Sequence, residues 1–309
     1  MQKALQLGLE NNYVDVVLRA YNNLLVEAKV DEAFEFAKKG YEYAKRVGYI
    51  GWQISFENAM GDYYRSIGDL QKAEEIARRV LAESVAIKSQ YGEDFANLLL
   101  GSVLLVKGNL NESEEVFQRF HSSVAGTKDF QNVIWSEFSI GCINMEKGEL
   151  ARAEEHLSKA WRDSVSAGIH GMGTYLVSLS QILDTLVAVE ADMGKLEEAR
   201  THLQDLEKIV AQTDDPRALA CAHGAKGKVL ALEGNYQMAI EELNKSLGIV
   251  KGQKDVYPVI MTGYALGVVC QKAGDSSGAE RAFRDALDLS ERIGSKLYTQ
   301  RILSRMMVN

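Results

Sequence analysis

G-D-Y-Y-R-S-I-G-D-L-Q-K-A-E-E-I-A-R-R-V-L, from Gly61 to Leu81, reads as the end of one helix, a turn and most of a second helix. After Leu70 the small and apolar residues Ala73, Ile76, Ala77 and Val80 fall at spacings of three and four, with charged residues between them. That spacing puts one apolar stripe on an amphipathic helix. Gly68 offers the left-handed cap that ends a preceding helix, and Asp69 is a favoured residue for starting the next one.

The central phrase of this stretch, G-D-L-Q-K-A from Gly68, recurs along the chain. It appears as A-K-V-D-E-A from Ala28, G-N-L-N-E-S from Gly108 and G-E-L-A-R-A from Gly148. Three more copies follow: G-K-L-E-E-A from Gly194, G-N-Y-Q-M-A from Gly234 and G-D-S-S-G-A from Gly274. The starts are 40 residues apart, except from Gly148 to Gly194, where the step is 46. A fixed period of this size marks a stack of repeated helix pairs, each burying its apolar face against the next. In five copies a second glycine lies seven residues before the phrase: Gly61, Gly101, Gly141, Gly227 and Gly267. A glycine inside a helix costs about 1 kcal/mol relative to alanine. Its recurrence therefore predicts close approach of the paired helix. The alanines five positions into the phrase (Ala33, Ala73, Ala153, Ala199, Ala239, Ala279) are expected to meet that approach from the other side. The bulky residues four further on (Phe117, Leu157, Leu203, Leu243, Phe283) are expected to fill space between hairpins.

Glycine, aromatic or leucine, glycine and alanine at these offsets resemble the tetratricopeptide repeat (TPR). Gly61, Tyr64, Gly68 and Ala73 carry the likeness best, with Gly267, Gly274, Ala279, Phe283 and Ala286. The resemblance covers nearly the whole chain and implies an all-α, right-handed α-solenoid of about seven helix-turn-helix repeats. This sequence departs from the family in its long period and in lacking the proline that usually closes each repeat. Within the family, Arg19–Gly48 is similar to the long repeats of LuxR-type bacterial transcriptional activators and related signalling ATPases. Residues 1–309 are then one solenoid, with a partial helix at 1–10, turns near 28, 68, 108, 148, 194, 234 and 274, and a capping helix over 296–307. Both ends fall inside a repeat: K-A-L-Q-L-G-L-E from Lys3 aligns with D-A-L-D-L-S-E-R from Asp285. A longer parent protein and self-association through uncapped ends are both expectations from this.

Bulk properties agree with a helical binding module. Only Pro216 and Pro258 occur in 309 residues, which favours long uninterrupted helices. A net charge of −8 argues against a nucleic-acid or anionic-membrane partner. The three cysteines are scattered and odd in number, and the start carries no signal-peptide pattern, so a cytoplasmic, reducing setting is expected. No stretch approaches the ~18 uninterrupted apolar residues of a membrane span. The sequence has no GxxxxGK[ST], no HExxH and no EF-hand loop, and its five histidines show no ligand spacing. No cofactor, metal or catalytic residue is assigned. The acid pairs Glu74-Glu75, Glu114-Glu115, Glu154-Glu155 and Glu197-Glu198 are read as first-turn residues favoured by the helix dipole.

In the tetratricopeptide family the first helix of each repeat lines the inner face. Counting back from each phrase places Ser55, Asn58, Asp62 and Arg65 there in repeat two. Repeat three supplies Phe95, Leu98, Ser102, Leu105 and Val106, and repeat four Trp135, Phe138, Cys142 and Met145. Gln181, Asp184 and Asp192 make repeat five polar again. Two readings stay open: an apolar groove for a protein or peptide partner, flanked by Asn58, Asp62 and Arg65, or side chains that pack between hairpins. Asn97, Asn132 and Asn144 are candidates for clamping a peptide backbone. The Gly-rich run from Ser166 to Tyr175 reads as a longer loop or hinge. The functional expectation is a scaffold or regulatory interaction module. A ligand-sensing region of a larger regulator is the alternative, and an enzyme is disfavoured.

Overall fold

The computed structural model describes residues 1–28, 30–168 and 175–307, with the side chains of residues 26 and 27 left aside. Part of the Gly-rich run, including His170, lies outside the described residues, as does Lys29 of the first phrase. Among the described residues the chain is all-helical: sixteen α-helices and no strand. It divides into two compact units, 1–104 and 105–309.

Unit 1 contains α1 (Gln2–Glu10), α2 (Val14–Glu27), α3 (Val30–Arg46), α4 (Ile50–Ser66), α5 (Leu70–Ala86) and most of α6 (Gln90–Lys107). Its core includes Val17, Leu18, Tyr21, Tyr43 and Phe56. Unit 2 contains the end of α6, then α7 (Leu110–Val124), α8 (Phe130–Lys147), α9 (Leu150–Ser166), α10 (Leu176–Asp192), α11 (Leu196–Val210) and α12 (Pro216–Leu232). It continues through α13 (Tyr236–Gln253), α14 (Val256–Lys272), α15 (Ser276–Arg292) and α16 (Lys296–Met306). Within unit 2, α8/α9, α10/α11, α12/α13 and α14/α15 are antiparallel pairs, and α10 also packs on α12. The architecture is an α-solenoid of stacked helix pairs.

The turn chemistry expected from the phrase is present. Each phrase glycine from Gly68 to Gly274 has φ between 74° and 87°, which an L side chain rarely adopts. At Gly148 this lets the cap amide reach back to Asn144 and Met145. Asp69 accepts from the Lys72 amide at 3.2 Å and Asp275 from the Gly278 amide at 2.9 Å, satisfying helix-end donors. The second set of turns, between hairpins, also uses left-handed residues, and at Lys88 (φ 55°) a side chain bears the strain.

Close approach inside each hairpin is also seen. A β-carbon at Gly141 would lie 2.6 Å from Leu157, one at Gly227 2.7 Å from Leu243, and one at Gly267 2.5 Å from the Phe283 ring. The bulky column therefore fills the notch left by the glycine of its own hairpin, rather than a space between hairpins as expected from the sequence. The alanine column flanks it: Ala153, Ala199 and Ala239 are fully buried.

The acid pairs require a correction. Only Glu197 and Glu198 stand in a first turn; Glu74, Glu114 and Glu154 lie one turn further in. In unit 2 their recurrence has another cause. Glu114 accepts from Lys147 Nζ at 2.7 Å and Glu154 from Lys195 Nζ at 2.6 Å, each tying a second helix to the turn of the next hairpin. Arg200 stands at the same repeat position and meets Glu233 at 2.8 Å, with the charges exchanged.

Two stability outcomes follow. Gly267→Ala is expected to destabilise by about 1–2 kcal/mol, because overpacking outweighs the gain in helix propensity. In a Phe283→Ala background the same change is expected to stabilise by about 1 kcal/mol, a sign reversal that a double-mutant cycle in urea reads directly. Lys88→Gly is expected to raise stability by about 0.5–1 kcal/mol by relieving the left-handed backbone, visible as a higher melting temperature.

Candidate functional site

The residues singled out from the sequence fall on three helices. On α4, Arg65 Nε donates to Asp62 Oδ1 at 2.7 Å, so these two engage each other along one helix face. Asn58, one turn earlier, is half-buried and its Oδ1 has no hydrogen-bond partner among the described residues. On α6, Phe95 and Leu98 are half-buried, and the Phe95 ring centre lies 4.5 Å from that of Tyr91.

Leu105 is a correction: only 6% of it is exposed, and Val106 is buried as well. Both belong to the core rather than to a groove. The start of α16 lies against the turn that follows them, since a β-carbon at Gly108 would come within 2.8 Å of the Leu297 backbone nitrogen.

On α8 the expected stripe is present and half-buried along its length: Trp135, Phe138, Cys142 and Met145. The Trp135 and Phe138 rings meet edge-on with centres 5.4 Å apart. Phe138 also reaches the cores that α8 shares with α9 and α10, and Met145 packs beside Leu157 and Leu186. The stripe is thus rooted in the core on one flank and accessible on the other. On the next first helices, Asp184 of α10 is paired with Lys228 of α12 at 2.7 Å. Asn132 is used locally, donating to Asp129 at the start of α8 at 2.8 Å. Asn144 is fully buried, and neither of its side-chain polar atoms has a partner among the described residues.

A cluster that sequence reasoning missed stands at the end of α8. Glu146 is 3% exposed. Its Oε1 accepts from the Tyr257 hydroxyl of α14 at 3.0 Å and from the Tyr298 hydroxyl of α16 at 3.2 Å. Its Oε2 is paired with the Arg301 guanidinium of α16, which also donates to the Glu146 carbonyl at 2.6 Å. Burial and the Glu146 charge both hold the two phenols well above their ordinary range, so they remain donors. Three helices far apart in sequence therefore converge on one buried carboxylate. Desolvation likewise pushes the Cys142 and Cys221 thiols above their ordinary range.

Four of the histidines are interhelical partners of carboxylates. His156 Nδ1 lies 2.7 Å from Glu137, His202 Nδ1 2.8 Å from Glu190 and His223 Nδ1 2.6 Å from Glu242. His121 lies 3.1 Å from Ser136 and 3.8 Å from Glu137. Glu137 and His156 stand eleven residues before and eight after the phrase glycine Gly148, and His223 and Glu242 hold the same two positions around Gly234. The pair is kept and its direction reversed. Column-by-column comparison of the repeats would have found it.

No protein-family model matches the chain, and no curated protein matches it. Solved structures do. A Rap protein complexed with competence and sporulation factor is 14% identical, with a TM-score of 0.67 over 94% of this chain and 80% of the other. The Rap conjugation gene regulator of plasmid pLS20, in complex with the Phr* peptide, is 18% identical, with a TM-score of 0.67 over 94% and 72%. NprR in complex with its cognate peptide NprX is 15% identical, with a TM-score of 0.63 over 94% and 82%. At these identities the likeness establishes the fold, which is TPR-like.

Burial would raise the Glu137 carboxyl, but hydrogen bonds from His156 and Lys159 outweigh it and lower it on balance. Glu242 is lowered in the same way, by Lys245 and His223 against burial. A folded-state value below the unfolded one contributes stability that is present above the unfolded glutamate range, near pH ~4.3, and is lost as pH falls through the folded value. The urea midpoint is therefore expected to drop below about pH 4.5, and Glu137→Gln is expected to flatten that dependence while lowering the midpoint at pH 7.

Proposed function

We propose that this chain is a peptide- or protein-binding regulatory module rather than an enzyme, and that the Trp135, Phe138, Met145 face of α8 is its principal contact surface. The carrying observation is that stripe. Large aromatic and thioether side chains are anchored in the core on one flank and open on the other, the character of residues that dominate interface energetics. The fold supports the same reading. Three solved structures of like fold were determined with a peptide or signalling factor bound, and a stack of helix pairs presents its first helices as a continuous surface. Phe95 and Leu98 of α6, and Asn58, Asp62 and Arg65 of α4, are proposed as additional contacts in unit 1.

A second reading has one observation in its favour, the similarity of Arg19–Gly48 to the repeats of LuxR-type activators and related signalling ATPases. In that case the same face would serve as the sensing surface of a larger regulator. Both readings ask the α8 stripe to bind a partner, and they differ in what the binding controls. Self-association and a cytoplasmic setting remain part of the proposal; no helix among the described residues is long and apolar enough to cross a membrane.

The test is selection of binders from a displayed library of random peptides, followed by titration of the selected peptide into the full chain. A Trp135→Ala/Met145→Ala variant that melts within a few degrees of wild type is expected to lose at least tenfold in affinity, about 1.4 kcal/mol. Leu105 is unsuitable for this purpose, because a charge there would disrupt the core. Retention of full affinity by the folded variant, or selection of no peptide at all, would overturn the assignment.

A further inference from the structure

The Glu146 cluster is not needed to build the hairpin stack. Successive helix pairs are already joined by apolar packing and by the Lys147–Glu114 and Lys195–Glu154 bridges. Glu146 instead connects α8 to α16 across 155 residues of chain. It sits one residue from Met145, at the end of the stripe assigned above to partner binding. On the other side of the contact, α16 packs on α15 and α14, burying Tyr298 and Ile302, and leaves Leu303 exposed, as is Met307 just beyond its end. Its two arginines do different things: Arg301 is committed to Glu146, while Arg305 Nε donates to the Tyr264 hydroxyl at 3.4 Å. The charges of both also bear on Asp192, at the end of α10.

We propose that α16 is a built-in occupant of this face of unit 2, held by the Arg301 guanidinium on Glu146, and that it competes in cis with the partner of the α8 stripe. The inference rests on the functional reading above and adds regulation to it. A carboxylate buried to this degree is stable only while a cation and hydrogen-bond donors satisfy it. Two of its partners, Arg301 and the Tyr298 hydroxyl, travel on α16. When α16 leaves, Glu146 keeps Tyr257 and lacks a cation, so a segment that replaces α16 must bring one of its own. Occupation in cis thus sets both a threshold for binding and a charge requirement on the ligand.

The test uses the full chain as wild type, Arg301→Gln and Glu146→Gln, read by amide hydrogen exchange. A labelled synthetic peptide spanning Lys296–Met307 serves as a probe added in trans. In Arg301→Gln, exchange in α16 is expected to rise at least about tenfold while α12 and α13 stay as in wild type. The added peptide is expected to bind Arg301→Gln at least about tenfold more tightly than wild type, and Glu146→Gln is expected to lose that gain. Unchanged exchange in α16, a rise that follows α12 and α13, or equal binding to wild type and Arg301→Gln would each overturn the proposal. If α16 opens and the added peptide binds, but peptides selected from the displayed library do not compete with it, competition in cis is overturned, while the Trp135→Ala/Met145→Ala variant reads separately whether the α8 stripe is the partner site.

Discussion

Everything in this fold depends on how closely two helices of a hairpin approach each other. At Gly141, Gly227 and Gly267 the first helix has no side chain, and Leu157, Leu243 or Phe283 of the second helix occupies the notch. The loss of helix propensity at each glycine, about 1 kcal/mol, is offset by burying a large side chain, a gain of about 1.5–3 kcal/mol. With its partner seated this closely, each first helix has one face for the second helix and another for the next hairpin. The third face is left over, and on α8 Phe138 and Met145 stand at its margin beside Trp135, partly packed against α9 and α10 and partly open. The surface proposed for binding is therefore a by-product of the same contact that makes the stack.

Charge organises what packing leaves undetermined. Apolar faces tolerate small slides, whereas an ion pair with partners at fixed repeat positions specifies one register. Two such sets operate in unit 2. One joins a second helix to the following turn, as in Glu114–Lys147 and Glu154–Lys195; the other joins the two helices of a hairpin, as in Glu137–His156 and Glu242–His223. In each set one repeat carries the charges the other way round: Arg200–Glu233 in the first and His223–Glu242 in the second. Complementarity is what the position requires, and the sign at either end is free to change. Partial burial makes these pairs matter more than exposed pairs such as Arg284–Glu280, whose contribution is close to zero.

How far the sequence could be read follows from this division. The period, six left-handed glycines and the close approach expected at five earlier glycines are local signals that repeat, so the copies reinforce one another. The acid pairs also repeat, but the partners of Glu114 and Glu154 stand in the next turn, where the residue facing Arg200 is a glutamate and the column has no constant residue type. The histidines looked scattered because their partner column holds glutamate in one repeat and histidine in another. Leu105 stays open between groove and core in the sequence because counting by threes and fours fixes an angle around a helix but not what lies over it. The start of α16 approaches the end of that helix from almost 190 residues further along the chain, and no periodicity announces such a contact.

The same limit explains why Glu146 was invisible and why it matters. Position 146 is one residue of a helix with no unusual neighbours in sequence, and its partners come from two helices that begin more than 100 residues later. A buried ion pair of this kind adds little net stability, because desolvation consumes most of its attraction. What it adds is discrimination: only the arrangement that brings Arg301, Tyr257 and Tyr298 to the carboxylate together satisfies it, and every other leaves a charge buried alone. Hairpin packing makes the stack, the ion-pair columns set its register, and this carboxylate joins α16, already packed on α15 and α14, to α8. Glu146 follows Met145 at the end of the α8 stripe, so the carboxylate that ties α8 to α14 and α16 stands beside the surface proposed for a partner. Packing of Tyr298 and Ile302 keeps α16 on α14 and α15, and the ion pair adds the tie from α16 to α8.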